Sequence, residues 1–253
     1  MKPTIHTHET EILDHFGGKR KKTQVTSKFG GKGVFLLFTN RCGSNHLADL
    51  MTQLPTLTMK GEVFNSVNVV RACTNRNLGS FDDYMRLIHR GAKTPNWGAK
   101  VGCVQFDMLH RFGVFDAFEG GSYFVWLKRK NIVAQAVSHF IAHHNLQWAS
   151  FHESKGEIPA YDYAAIKRMV RSIQNHNHAA ELSLALTGRP YHALWYEDYI
   201  KTPNQHMRRI ANFIKEPFEK VERDQGKFKK QNNPIKKEYE ARFRADARRK
   251  LQL

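Results

Sequence analysis

The chain has 253 residues, 41% hydrophobic and 25% charged, which places it among globular proteins with a packed core, as one sizeable domain or two small ones. No window approaches the ~20 apolar residues of a membrane span, the N-terminal MKPTIHTHETEILDHF lacks the apolar core of a signal peptide, and Cys42, Cys73 and Cys103 form neither a CxxC pair nor a disulfide framework, so a cytoplasmic protein is expected. The 40 Lys+Arg against 23 Asp+Glu, a net charge of +17, imply an anionic partner or substrate: nucleic acid, acidic lipid or a multiply phosphorylated small molecule.

Part of that charge is terminal, in GGKRKK near the start and RFRADARRK at the end, and these runs read equally well as solvated tails. Residues 1–32 are polar, basic and glycine-containing, and are expected to form a flexible basic leader before a domain spanning 33–253. The first strong element is GVFLLFTN, a continuous apolar run of the kind found in a parallel strand covered on both faces. Leu47, Leu50, Met51 and Leu54 then follow at helical spacing, with Pro55 beyond.

Further strands are predicted at LTMKGEVFN (57–65), KVGCVQF (100–106), SYFVWLKR (122–129) and YHALWYEDY, and helices at NIVAQAVSHFIAHH, at YDYAAIKRMVRSIQNHNHAAELSLAL up to Gly188 and Pro190, and near QHMRRIANFI. The stretches 65–98 and 145–160 read as loop-rich. Strands alternating with helices predict an α/β fold: a single domain whose parallel sheet is flanked by helices.

The turn Arg41-Cys42-Gly43-Ser44-Asn45 joins the first strand to a helix N-terminus, where backbone N–H groups and the helix dipole suit a phosphate or sulfate. Gly43 admits close approach, Ser44 and Asn45 supply short polar side chains, and Arg41 adds a permanent charge. The Gly-Lys-Ser/Thr ending of a magnesium-nucleotide loop is missing, which disfavours an ATPase or a nucleotide kinase. Cys42 reads as a small residue, with a reactive thiol at a helix N-terminus as the alternative.

A second constellation lies in LKRKNIVAQAVSHFIAHH. Val133, Ala136, Val137 and Phe140 gather on one helix face, and Asn131, Gln135, Ser138 and Ala142 on the other, so Arg129 and Ser138 can converge on one group. Two anion sites at strand-to-helix junctions imply a ligand with two separated anionic groups. The closest histidine pairs, His6/His8, His143/His144 and His176/His178, lack metal-ligand spacing, and no metal is expected.

Taken together, R-C-G-S-N-H-L after an apolar strand, G-E-V-F-N, L-K-R-K-N-I-V-A-Q-A-V-S, N-L-Q-W, Y-E-D-Y and the basic K-K-Q-N-N-P-I-K-K-E-Y-E-A-R-F-R-A-D resemble, in order from about residue 34 to 246, the bacterial carbohydrate sulfotransferases of the trehalose 2-sulfotransferase and nodulation-factor type. The resemblance implies a P-loop-like fold that moves the sulfuryl group of 3′-phosphoadenosine 5′-phosphosulfate (PAPS) to a hydroxyl of a carbohydrate or glycolipid acceptor without a metal. On this likeness Arg41, Cys42, Gly43, Ser44, Asn45 and His46 form the 5′-phosphosulfate loop, with Arg41 stabilising the bridging oxygen. Arg129 and Ser138 match the 3′-phosphate ligands, and Glu62 stands in the place of the proposed general base. Lys229 and Lys230 belong to a basic segment that closes over the nucleotide, and Trp148 follows the second helix where an acceptor cleft would lie.

The loop departs from the family pattern in Asn40 for the usual proline and in Cys-Gly-Ser-Asn for Ser-Gly-Ser-Thr. The resemblance leaves a homodimer open and implies no specific nucleic-acid partner; a basic nucleic-acid-binding protein or a P-loop nucleotide kinase are the alternatives.

Overall fold

Five strands, β1 (Gly33–Phe38), β2 (Leu57–Lys60), β3 (Asn96–Gly102), β4 (Ser122–Lys128) and β5 (Tyr191–Trp195), form one parallel sheet in the order β2-β3-β1-β4-β5. This is a computed structural model, and it describes residues 6–145, 157–222 and 234–252. The single α/β domain predicted from the alternation of apolar runs and helical periods is present.

All six residues of β1 are buried, as expected for the central strand of a doubly covered sheet. Successive side chains alternate between faces. Phe35 and Leu37 join Trp97, Ala99, Val101, Phe124 and Trp126 in a core closed by α1 (Thr7–His15), α3 (Ser66–Arg76), α4 (Phe81–Arg90) and α5 (Phe106–Arg111). Val34, Leu36, Phe38, Val125 and Leu127 face α2 (Ser44–Met51) and α9 (Pro203–Phe213) instead. A third apolar cluster joins α6 (Ile132–Asn145), α7 (Tyr163–Thr187) and α10 (Pro234–Leu251) through Ala136, Val137, Phe140, Ile166, Tyr239 and Phe243. The predicted apolar face of α6 thus packs in this cluster, and Gly188 ends α7 at φ 61.

Several sequence expectations need correction. Residues 6–32 are not a flexible leader: Ile12, Phe16 and Phe29 lie in the main core, and Glu9, 1% exposed, is paired with Arg111. The helical period of α1 is masked by His6, His8 and His15, and its burial depends on partners far along the chain. Nor is 65–98 loop-rich, since α3 and α4 occupy most of it, α4 opening on a Ser80 cap that accepts from Asp83 N–H at 3.1 Å.

Three strands have other ends than expected: the one predicted over YHALWYEDY stops at Trp195, and Tyr196–Tyr199 is a short helix. β2 stops at Lys60, leaving Gly61-Glu62-Val63-Phe64 as a turn into α3, and β3 spans Asn96–Gly102, with Cys103–Gln105 turning into α5. The basic run at the end is helix α10 and not a tail: its Tyr239 and Phe243 are buried, while its last-turn cations Arg248, Arg249 and Lys250 face outward.

Connections from β1 run towards β2 and β3, and those from β4 towards β5, so the chain reverses direction in the sheet between β1 and β4. Ligands of open parallel sheets bind in the crevice beyond the carboxyl ends of the strands at such a point. Phe38 is in register with Leu127 on one side and Gly102 on the other, which sets the ends of β1, β3 and β4 level.

Candidate active site

The loop after β1 is shaped by two left-handed residues, Arg41 at φ 65 and Gly43 at φ 97. Gly43 is required twice over: the φ is costly for other residues, and a Cβ there would lie 2.4 Å from Cδ2 of Tyr196. Ser44 is therefore the first residue of α2 and not its cap. The first-turn N–H groups of a helix have no carbonyl of their own helix to bond, so the turn from Ser44 to His46 offers donors at the crevice.

The short helix α8 (Tyr196–Tyr199), which is the Y-E-D-Y motif, braces this loop from below. Tyr199, fully buried, donates to Gly43 O at 3.3 Å and lies 3.1 Å from Nδ1 of His46. Burial, with Tyr196 and Cys42 nearby, pushes its phenol well above the usual range, so it stays protonated. The Arg129 guanidinium packs over the Tyr196 ring at 4.7 Å, and Glu197 Oε1 lies 3.4 Å from Arg129 Nε. Sequence reading quoted this motif without assigning any of its residues a task.

Arg41 and Ser138, assigned from sequence to different anion sites, are in contact: Arg41 Nε donates to Ser138 Oγ at 3.1 Å. Arg129 Nη1 donates to Arg41 O at 3.3 Å. The two predicted sites therefore adjoin, as the neighbouring positions of β1 and β4 require. Burial first, then the charge of Arg129, lowers the pKa of Arg41.

The polar face predicted for α6 turns inward. Gln135, 0% exposed, donates to Thr39 Oγ1 at 2.9 Å and to Asn40 O at 2.8 Å. The opening N–H groups at this junction do not point at an open site, since Glu197 accepts from Lys130 N–H at 2.9 Å and Asn131 N–H at 3.2 Å. Burial opposes ionisation of Glu197, but these donors and Arg129 outweigh it and hold the carboxyl below its usual range. Anion binding here falls to side chains.

Cys42 is 0% exposed, and burial pushes its thiol up to about 11 against the pull of Lys100 and the Ser44 N–H, so it is a packed side chain and not a thiolate.

Three further cations or titrating groups reach the loop. Lys100 on β3, 4% exposed, donates to Asn45 Oδ1 and to Glu62 Oε1, the latter at 2.7 Å. Glu62 is thus brought to the loop, and Asn65 Nδ2 donates to its other oxygen at 3.0 Å. Lys236, on the first turn of α10, is pushed down to about 8 by burial and then by the charges of Arg41 and Arg129. His139 is lowered to about 4 by burial, then by His143 and Arg41. The signal that would have found Lys100 is a lone lysine inside an otherwise apolar strand, NWGAKVG. Lys229, Lys230 and Trp148 lie outside the described residues.

The arrangement gathers Arg41, Arg129, Lys236 and Lys100 at the carboxyl edge of a parallel sheet, with the partly exposed Glu62 carboxylate paired to Lys100. Residues 107–246, more than half of the chain, match the model of the Stf0 sulphotransferase family. The chain belongs to that family and is a sulfotransferase. This sets aside the nucleic-acid-binding and nucleotide-kinase readings.

Its fold is similar to that of a sulfotransferase from Alicyclobacillus acidocaldarius, at TM-score 0.50 and 17% identity over 84% of this chain and 91% of that one. The sulfotransferase domain of the Synechococcus PCC 7002 olefin synthase compares at TM-score 0.54 and 15% identity, over 87% of this chain and 90% of that one. The sulfotransferase domain from the curacin biosynthetic pathway compares at TM-score 0.51 and 16% identity, over 76% of each chain. No curated protein matches the chain in sequence. Among the described residues, no helix is long and apolar enough to cross a membrane.

Proposed function

We propose that the enzyme takes its sulfuryl group from PAPS and delivers it to a hydroxyl of a carbohydrate or glycolipid acceptor. The observation that carries this reading is the adjacency of the loop cation Arg41 to both Arg129 and Ser138, a donor set for a ligand with two anionic groups. Arg41 and residues 42–46 would hold the 5′-phosphosulfate, with His46 tethered by Tyr199. Arg129, steadied by Glu197 and Tyr196, would hold the 3′-phosphate together with Ser138, and Lys236 adds charge on the same side. Lys229 and Lys230 would close over the nucleotide.

The donor supplies an activated sulfuryl group, whose transfer leaves negative charge on the bridging oxygen of the 5′-phosphate. A fixed cation and backbone donors at that oxygen stabilise this charge without reorganising, and Arg41 is the residue for it. The acceptor hydroxyl must lose its proton, and on this reading Glu62 takes it. Both its oxygens are oriented, by Lys100 and by Asn65, while its side chain keeps 36% of its surface open. These donors and acceptors require no metal ligand.

Calorimetry with adenosine 3′,5′-bisphosphate tests the reading. Binding of equal strength with and without magnesium is expected; absence of binding, or a strict need for magnesium, overturns it.

A further inference from the structure

Lys100 is the one charged side chain of β3, in register with Leu36 of the central strand and flanked by the core residues Ala99 and Val101. Burying an ammonium there is costly, and an ion pair in such a place is often no more stabilising than apolar residues of the same volume. What the lysine does at that cost is visible in its contacts. Its Nζ donates to Asn45 Oδ1 and to Glu62 Oε1, and sits 4.5 Å from the centre of the Phe38 ring. Asn45 belongs to the anion loop, and Glu62 lies on a different turn, after β2. Lys100 is bonded to both.

The far side of Glu62 is equally fixed. Asn65 Nδ2 donates to Glu62 Oε2, Gln105 Nε2 donates to Asn65 Oδ1 at 2.7 Å, and Gly102 N–H donates to Gln105 Oε1 at 2.9 Å. Gln105 is 1% exposed. A chain of hydrogen bonds therefore runs from the end of β3 through the carboxylate and the ammonium to the loop.

We propose that Lys100 is a positioning residue of sulfuryl transfer, coupling Glu62 to the sulfuryl end of the donor loop. This rests on the reading of Glu62 and the loop given above. Before transfer, the ammonium is shared between the Glu62 carboxylate and Asn45, so part of its charge already reaches the sulfuryl end of the loop. As the acceptor oxygen forms its bond to sulfur, the acceptor proton passes to Glu62, and the sulfur–oxygen bond to the 5′-phosphate breaks, its electron pair leaving with the bisphosphate. Glu62 is then neutral, and the positive charge of Lys100, which keeps its own three protons, is left facing the anionic oxygens held beside Asn45. The share of the charge that was balanced by the base becomes available where the transferring group is negative.

The bisphosphate lacks the sulfuryl group and the sulfated nucleotide has it, so calorimetry with both separates this role from general nucleotide binding. Lys100→Met is expected to weaken PAPS binding about tenfold, ~1.4 kcal/mol, while changing bisphosphate binding less than about twofold. Transfer of labelled sulfate from PAPS to a glycan extract should fall with it, and Lys100→Met should add little to the loss already caused by Glu62→Gln, because the two act as one unit. Equal effects on both nucleotides, or losses that add in full, overturn the proposal. If Lys100→Met melts too low to assay, Lys100→Arg and Lys100→Gln carry the comparison: PAPS preference kept by Arg and lost by Gln supports it, and equal preference overturns it. Failure of the unaltered enzyme to bind either nucleotide would instead strike the reading of the site itself.

Discussion

Arg41 and Ser138, 97 residues apart in sequence, meet at 3.1 Å between Nε and Oγ. The loop after β1 and the second turn of α6 are thereby held as one surface, and Arg129 extends it by bonding to Arg41 O. Removing the Arg129 guanidinium deletes a charge-assisted donor. Arg129→Ala is expected to weaken bisphosphate binding by ~2 kcal/mol and Ser138→Ala by ~1 kcal/mol. Unchanged affinity in calorimetry would remove either residue from the 3′-phosphate site.

Glu62 is predicted to serve transfer and not nucleotide binding. Gln in its place keeps the shape and one acceptor oxygen but cannot take a proton at neutral pH, so turnover should fall ~10²–10⁴-fold while the bisphosphate still binds with its original affinity. Labelled-sulfate transfer read beside calorimetry makes the distinction. Retention of most turnover would mean that another base acts.

The backbone at Gly43 is the least replaceable point of the loop. Alanine there combines a left-handed φ of 97 with a Cβ 2.4 Å from Cδ2 of the Tyr196 ring, over which the Arg129 guanidinium packs. Gly43→Ala should lower stability by ~1–3 kcal/mol and also weaken bisphosphate binding, since Tyr196 cannot move without disturbing Arg129. Thermal melts with and without the bisphosphate report both effects; a variant as stable and as well liganded as the parent would show that the loop tolerates the change.

What was legible in the sequence is what short-range pattern encodes. The apolar run of β1, the turn at Arg41–Asn45, the period of α6 and the Arg129-to-Ser138 spacing are local signals, and they place the crevice. Lys100, Glu197, Tyr199 and Lys236 were not legible as site residues, because each reaches the loop only through the strand order or the docking of α10. The inward turn of Gln135 was hidden for the same reason: a polar helix face reads alike whether it meets water or another loop. In α1 the fault lay with composition, since one buried apolar side chain, Ile12, among histidines gives almost no period.

Cys42 stands where the family pattern carries serine, and its burial decides its chemistry. With its thiol pushed up to about 11 and no exposed surface, it should resist iodoacetamide at pH 8 in the folded protein and react after unfolding in guanidinium. Mass spectrometry of the labelled peptide reads this directly. Rapid labelling of the native enzyme would show that the loop opens.

Lys236 gives the crevice a pH dependence whose sign can be worked out. Burial and the neighbouring guanidinium charges lower its pKa to about 8, so below that value the lysine is charged and above it increasingly neutral. An anion bound beside it favours the charged form, so bisphosphate affinity should be level near pH 7 and fall as pH rises through 8 to 9.5. Cys42 titrates near 11 and His139 near 4, both outside this window. The ligand's own phosphate ionises near 6, and would strengthen binding with rising pH if it contributed at all. Lys236→Met should therefore bind more weakly at pH 7 and lose the decline between pH 7.5 and 9.5. A decline of the same steepness in the variant, measured by calorimetry across that range, would assign it to another group.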